Sequence, residues 1–206
     1  MKHFLAIVLL IFGATAVSGQ ANCTLSIAQA PVVSGVKLGM TPEQVLALFP
    51  GSREDKEVSG SLARPASKFG VSTFMIRPER YASKAKFAGV SQISFTLFDG
   101  RVSTYNVGYT GPEWKHVDEF VTKFAEATKL PAANAWEAQE GMDSQLKILK
   151  CKEFEVSVFA GGRQVQNINY VKVRDLAVEE KLRERREKAK EMDKLKQAIP
   201  GASLLP

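Results

Sequence analysis

The sequence predicts an α+β protein, with antiparallel sheet packed by helices and a charged helix at the C-terminus. Three observations carry this expectation. Residues 90–98 and 101–109 alternate apolar and polar side chains around Asp99-Gly100, a favoured two-residue hairpin turn. Two helix signals, at 42–49 and 112–129, each stand ahead of strand-like runs. Residues 174–197 carry nine basic and seven acidic side chains, too dense a mixture for a core element.

Taken in order, residues 1–20 read as an export signal. Lys2 supplies a positive start, residues 4–12 (FLAIVLLIF) are unbroken apolar, and small residues follow in GATAVSGQA. Even carried to Val17, the apolar stretch is shorter than the ~20 residues that cross a bilayer. Cleavage after Ser18, Gly19 or Ala21 is therefore expected, with an uncleaved anchor as the alternative and no membrane span after cleavage.

Residues 21–111 form the first predicted unit. Residues 22–40 are an irregular or strand-forming lead-in. Thr41 is a natural N-cap, Pro42 suits the first helical position and Gln44 completes a capping box. Val45, Leu46, Leu48 and Phe49 then make an apolar face, and Pro50-Gly51 ends a helix over 42–49. Residues 51–68 are polar and rich in Ser and Gly, hence a loop, and 71–76 (VSTFMI) is a strand. Residues 77–88 read as irregular and carry Arg77, Arg80, Lys84 and Lys86, a basic segment suited to an acidic partner or simply to solvent.

The second predicted unit spans 112–173. Trp114, Val117, Phe120, Val121, Phe124 and Ala125 recur at helical spacing, and Leu130-Pro131 stops that helix near Lys129. Strands follow at 145–151, 154–159 and 165–173, with Gly161-Gly162 between the last two. The two units read alike. Asn106-Val107-Gly108-Tyr109 and Asn167-Ile168-Asn169-Tyr170 close their meanders, each downstream of a Gly-Arg pair. Two tandem helix-plus-meander units, or a chance likeness of short strings, both account for this. In 174–206 the apolar positions Val178, Leu182, Ala189, Met192 and Ile199 are interrupted by Arg185 and Lys196. That pattern predicts a helix projecting into solvent, with an oligomerising coil as the alternative.

Composition excludes several chemistries. Without Lys2 the chain holds 27 basic against 22 acidic residues, a net +5 spread along its length. Such a balance favours solubility and attraction to anionic surfaces, while no basic–aromatic motif points to nucleic acid. His3 leaves with the leader, so His116 is the one histidine of the exported part, and a His/Cys zinc site cannot be assembled within one chain. Flanked by Lys115 and Val117, His116 reads as a surface residue rather than a catalytic base. Glu113, Asp118, Glu119 and Asp99 do not converge by spacing as a two-carboxylate hydrolase needs. Gly161-Gly162 lacks the lysine and helix start of a phosphate loop. Trp114, Trp136, Phe95, Phe98, Tyr105 and Tyr109 suit either a ligand groove or, more simply, the packing of helix on sheet.

Cys23 and Cys151 are the only cysteines. An oxidising compartment favours a Cys23–Cys151 disulfide, the alternatives being two unpaired thiols or acylation at Cys23. Gln20-Ala21-Asn22 lacks the aliphatic and small residues that acylation demands. Asn22-Cys23-Thr24 also fits a glycosylation acceptor.

The stretch Gly35-Val36-Lys37-Leu38-Gly39-Met40-Thr41-Pro42-Glu43-Gln44-Val45 resembles the opening of the SmpA/BamE-like envelope protein family. There a G-M-T-x-x-Q-V run starts a helix ahead of antiparallel sheet. The resemblance implies a small envelope protein, of a kind that typically helps outer-membrane barrel assembly. It also implies kinship with the β-lactamase-inhibitor-protein-like fold, in which two helix-plus-meander units stand in tandem. It carries over no functional site, since Met40, Val45 and Leu48 look like packing residues. This chain departs from the family in lacking an acylation signal and in adding the charged helix.

The expectation is thus an exported, periplasmic or secreted, non-enzymatic binding or adaptor protein of the cell envelope. It needs no cofactor, and its partner is another envelope protein. The alternatives are a carboxylate-dependent hydrolase acting on envelope material and an oligomerising structural protein.

Overall fold

A computed structural model describes residues 23–111, 114, 116–139, 145–161 and 168–198. The expected leader, Pro112, Glu113 and Gly162 lie outside the described residues. Seven strands form one antiparallel sheet in the order β1-β2-β3-β7-β6-β5-β4. They are β1 (Val71–Ile76), β2 (Val90–Phe98), β3 (Arg101–Tyr109), β4 (Glu137–Ala138), β5 (Leu146–Lys150), β6 (Phe154–Gly161) and β7 (Ile168–Asp175). The helices are α1 (Pro42–Leu46), α2 (Lys56–Leu62), α3 (Val117–Thr128) and α4 (Leu176–Ala198). The α+β class read from the sequence is therefore the class observed.

Each meander is local, β1-β2-β3 and β5-β6-β7, and the two join where their last strands pair. At that joint Tyr105 lies opposite Val173 and Val107 opposite Val171, all four fully buried. Strand pleating sends alternate residues to opposite faces. Phe74, Ile76, Ile93, Phe95, Tyr105, Val107, Val171, Val173, Val156 and Val158 share one inner face and one core. Each such side chain contributes roughly 1.5–3 kcal/mol by leaving water.

Helices cover that inner face. α3 lays Phe120, Val121, Phe124 and Ala125 on β5 and β6, and ends with Lys129 in the left-handed region (φ 58°) while Leu130 N–H donates to Ala125 O. α1 is capped as its sequence predicts: Gln44 N–H donates to Thr41 Oγ1 at 3.3 Å and Thr41 N–H to Gln44 Oε1 at 2.9 Å. It stops at Leu46 rather than Phe49, because bonds three residues apart (Leu48 N–H to Val45 O, Phe49 N–H to Leu46 O) tighten its last turn. The tightening leaves Phe49 fully buried between the rings of Tyr81 and Phe87.

Two departures come from tertiary contacts. Part of the expected loop 51–68 is helix α2, capped by Asp55, whose carboxylate accepts from Glu57 N–H at 2.8 Å. The irregular segment 77–88 is largely two 3-10 turns, at Pro78–Arg80 and Ala82–Phe87, holding Tyr81 and Phe87 inward.

The lead-in is a strap across the inner side of the sheet. Cys23 and Cys151 form the expected disulfide just beyond β5. Ile27 N–H donates to the Glu153 carboxylate at 2.8 Å, and the Tyr105 hydroxyl donates to Pro31 O at 2.7 Å. The strap ends beside β3, where Gly39 N–H donates to Val102 O and Val102 N–H to Met40 O. It thus begins on one meander and finishes on the other.

Tyr105→Phe should destabilise the protein by about 1–3 kcal/mol in urea unfolding, because the buried Pro31 carbonyl loses its donor. Replacing both cysteines by serine should cost up to about 5 kcal/mol, as the bridge spans 128 residues of chain. An unchanged unfolding midpoint for the oxidised and reduced protein would show that the strap is not held by this bond.

Candidate functional site

The outer face of the sheet is built by the residues between the inward-facing ones. Cross-strand pairing arranges it in rows. One runs Thr73, Thr96, Thr104, Arg174, Glu155, Lys150. The next runs Met75, Ser94, Asn106, Lys172, Ser157, Ile148, Glu137. A third runs Gln92, Gly108, Tyr170, Phe159, Leu146. Short hydroxyl side chains dominate the β1-β2-β3 half, whereas cations and an aromatic pair occupy the β7-β6 half. Phe98 and Leu146 are buried on this face, apart from the main core.

α4 crosses one end of this face. Its start is fixed by Asp175, which caps Val178 N–H at 3.0 Å, and by Leu176 N–H donating to Glu153 O at 3.0 Å. Arg185 fixes it further along. Its guanidinium grips Asp99 at 2.9 and 2.6 Å, donates to Phe69 O at 3.0 Å and lies 4.3 Å from the Phe98 ring centre. The helix therefore does not simply project into solvent. The arginine that interrupts its apolar stripe is the residue that docks it, and the exposed large apolar side chains of α4 lie beyond, at Met192 (54%) and Leu195 (52%). Gly70 makes this contact possible, because a Cβ there would collide with the Asp99 carboxylate.

Above α4, most of the outer-face side chains are partly accessible. Glu155 is an exception, 6% exposed and bound to Arg174 at 2.8 Å. Lys172 has no ion pair among the described residues, and the Asn106 side-chain oxygen is buried without a donor. Phe159 and Tyr170 stack at 5.1 Å.

The basic segment divides in two. Arg80 binds Glu57 at 3.0 Å and lies 3.6 Å from Asp55, and Arg77 binds Glu57 at 3.4 Å. The Tyr81 hydroxyl donates to Asp55 at 2.9 Å, which holds that carboxyl below its usual range. Burial first, then this bond, push the Tyr81 phenol up to about 12. Arg77 and Arg80 thus fasten α2 to the body, while Lys84 and Lys86 remain exposed. Lys84 borders a shallow hollow with Glu79, Ser91 and Thr110.

The aromatic residues mostly serve packing. Phe95, Tyr105 and Trp136 are buried in the core, and Trp114 stacks on Phe120 at 5.3 Å with Lys123 across its ring. His116 is an exposed N-cap, one residue ahead of the helix. Asp118 pairs with Lys147 at 3.1 Å and Asp99 with Arg185, so neither carboxylate faces another. Among the described residues no His, Cys, Asp and Glu cluster suits a metal, and no helix is long and apolar enough to cross a membrane.

No family model, curated protein or solved structure matches this chain. The site is therefore defined by its own geometry.

Sequence reasoning singled out none of the outer-face residues Lys172, Asn106, Tyr170 and Phe159 as a site. The usable signal was strand alternation: once Val171 and Val173 face inward, Tyr170, Lys172 and Arg174 must face outward together.

Arg185 holds the Asp99 carboxyl below its ordinary range, first through the hydrogen bond and then through charge. A depressed carboxyl pKa contributes at neutral pH and is lost as pH falls through the folded value. Hydrogen-exchange protection in α4 should accordingly hold at pH 7, fall on acidification below the ordinary aspartate range, and already be lowered at pH 7 in Asp99→Asn. Equal protection in the variant would exclude this pair as the anchor.

Proposed function

We propose that the chain is an exported, non-enzymatic binding or adaptor protein of the cell envelope, periplasmic or secreted, that engages another protein through the outer face of its sheet. The observation that carries this reading is the unequal treatment of the two faces. The inner face is filled by α1, α3 and the strap, whereas among the described residues the outer face is crossed only at one end, by α4. An array of partly accessible aromatic, amide and cationic side chains on a sheet is a surface suited to recognition.

The compartment rests on the leader-like residues 1–20 and on the disulfide, a bond that persists in oxidising surroundings. The short likeness of residues 35–45 to SmpA/BamE-like envelope proteins points the same way, without the acylation signal of that family.

A photo-crosslinking side chain placed at Thr104 on the outer face should yield a discrete adduct in cells that make the protein. The same group at Glu119, exposed on α3, should yield none. Adducts from Glu119 alone would move the site off the sheet and sink this assignment.

A further inference from the structure

We infer that the partner presents a carboxylate beside an aromatic or aliphatic side chain, and that Lys172 receives the carboxylate while Tyr170 and Phe159 receive the apolar neighbour. This inference rests on the outer-face reading and adds the chemistry of what binds there. It follows from charge and shape on that face. Lys172 lies mid-sheet, directly across from Asn106 on β3 and Ser157 on β6. Among the described residues the three outer-face rows hold two carboxylates: Glu155, already bound by Arg174 and almost wholly buried, and Glu137, which lies three strands from Lys172 beyond Ile148. Among the described residues, Lys172 therefore faces the accessible side with no carboxylate paired to it.

Its surroundings favour a directed contact over a diffuse one. The Phe159–Tyr170 stack occupies the adjoining row, and Gly108, directly across from Tyr170, presents no side chain. A Cβ at Gly108 would stand 3.0 Å from the Ser91 hydroxyl, so a larger residue there would crowd this end of the face. A cation and a stacked aromatic platform in adjoining rows match a short protein segment in which Asp or Glu neighbours an apolar residue. A lone charged surface of an anionic membrane would meet the cation and leave the platform unused.

The test uses the full chain with the photo-crosslinker at Thr104. The captured protein is identified and purified, and its affinity for wild-type chain is measured by calorimetry. Lys172→Glu should weaken binding by at least about tenfold, and Lys172→Gln by less. Reversing the partner's contacting Asp or Glu to Lys should restore binding to Lys172→Glu. Circular dichroism on each variant separates lost contact from lost fold, and the Gln variant serves if the Glu variant unfolds. A partner weakened by Tyr170→Ala but indifferent to both Lys172 variants would overturn the acidic-partner inference and leave the outer-face reading standing. Sedimentation with anionic phospholipid vesicles that depends on Lys172, with no protein adduct, would overturn both, as would the absence of any adduct from Thr104.

Discussion

The pairing of β3 with β7 is the constraint on which the rest of the structure depends. Six residue pairs, from Thr104 opposite Arg174 to Tyr109 opposite Asn169, turn two separate meanders into one sheet. A three-stranded meander has one apolar face and two open edges. Fusing two of them removes an edge from each and creates a single broad inner face. That face must then be covered continuously, which explains why the core runs unbroken from Phe74 on β1 to Leu149 on β5. The same pairing composes the outer face, since the row through Asn106, Lys172 and Ser157 draws its members from both meanders. Neither half alone contains the proposed recognition surface.

The joint is reinforced at one end by two belts. On the inner side the strap runs from Cys151 to Val102, and on the outer side α4 runs from Asp175 to Asp99. Glu153 serves both, its carboxylate accepting from the strap at Ile27 and its carbonyl from α4 at Leu176. Covalent closure and a bidentate ion pair thus act on opposite sides of the same strand ends. The two differ in character: the strap is fixed by a disulfide and a buried phenol, whereas α4 is held by groups that water reaches.

Most of this architecture was legible in the sequence because its signals are local. Asp99-Gly100 announces its hairpin, Thr41 to Gln44 announce a capped helix, and the alternation from 154 onward marks strands. What escaped depends on distant partners. α2 offers only Val58 as a buried residue and carries Gly60 between serines, so no periodicity betrays it, and it exists because Tyr81 and Arg80 hold its cap. Arg185 looked like a flaw in an apolar stripe until Asp99 and Phe98 were seen beneath it. Arg77 and Arg80 looked available and are tied to Glu57. Lys172 was passed over because a lone lysine in an alternating strand is unremarked until its neighbours across three strands are known.

The joint also sets an order of assembly. The hairpins within each meander close over short stretches of chain, but β3 must wait for β7, which is made some sixty residues later. During that wait the nascent first half carries an unpaired β3 edge lined by Val107 and Tyr105, a template on which any extended chain can dock. The architecture that gives the mature protein its broad surface therefore exposes its precursor to aggregation until β7 closes that edge.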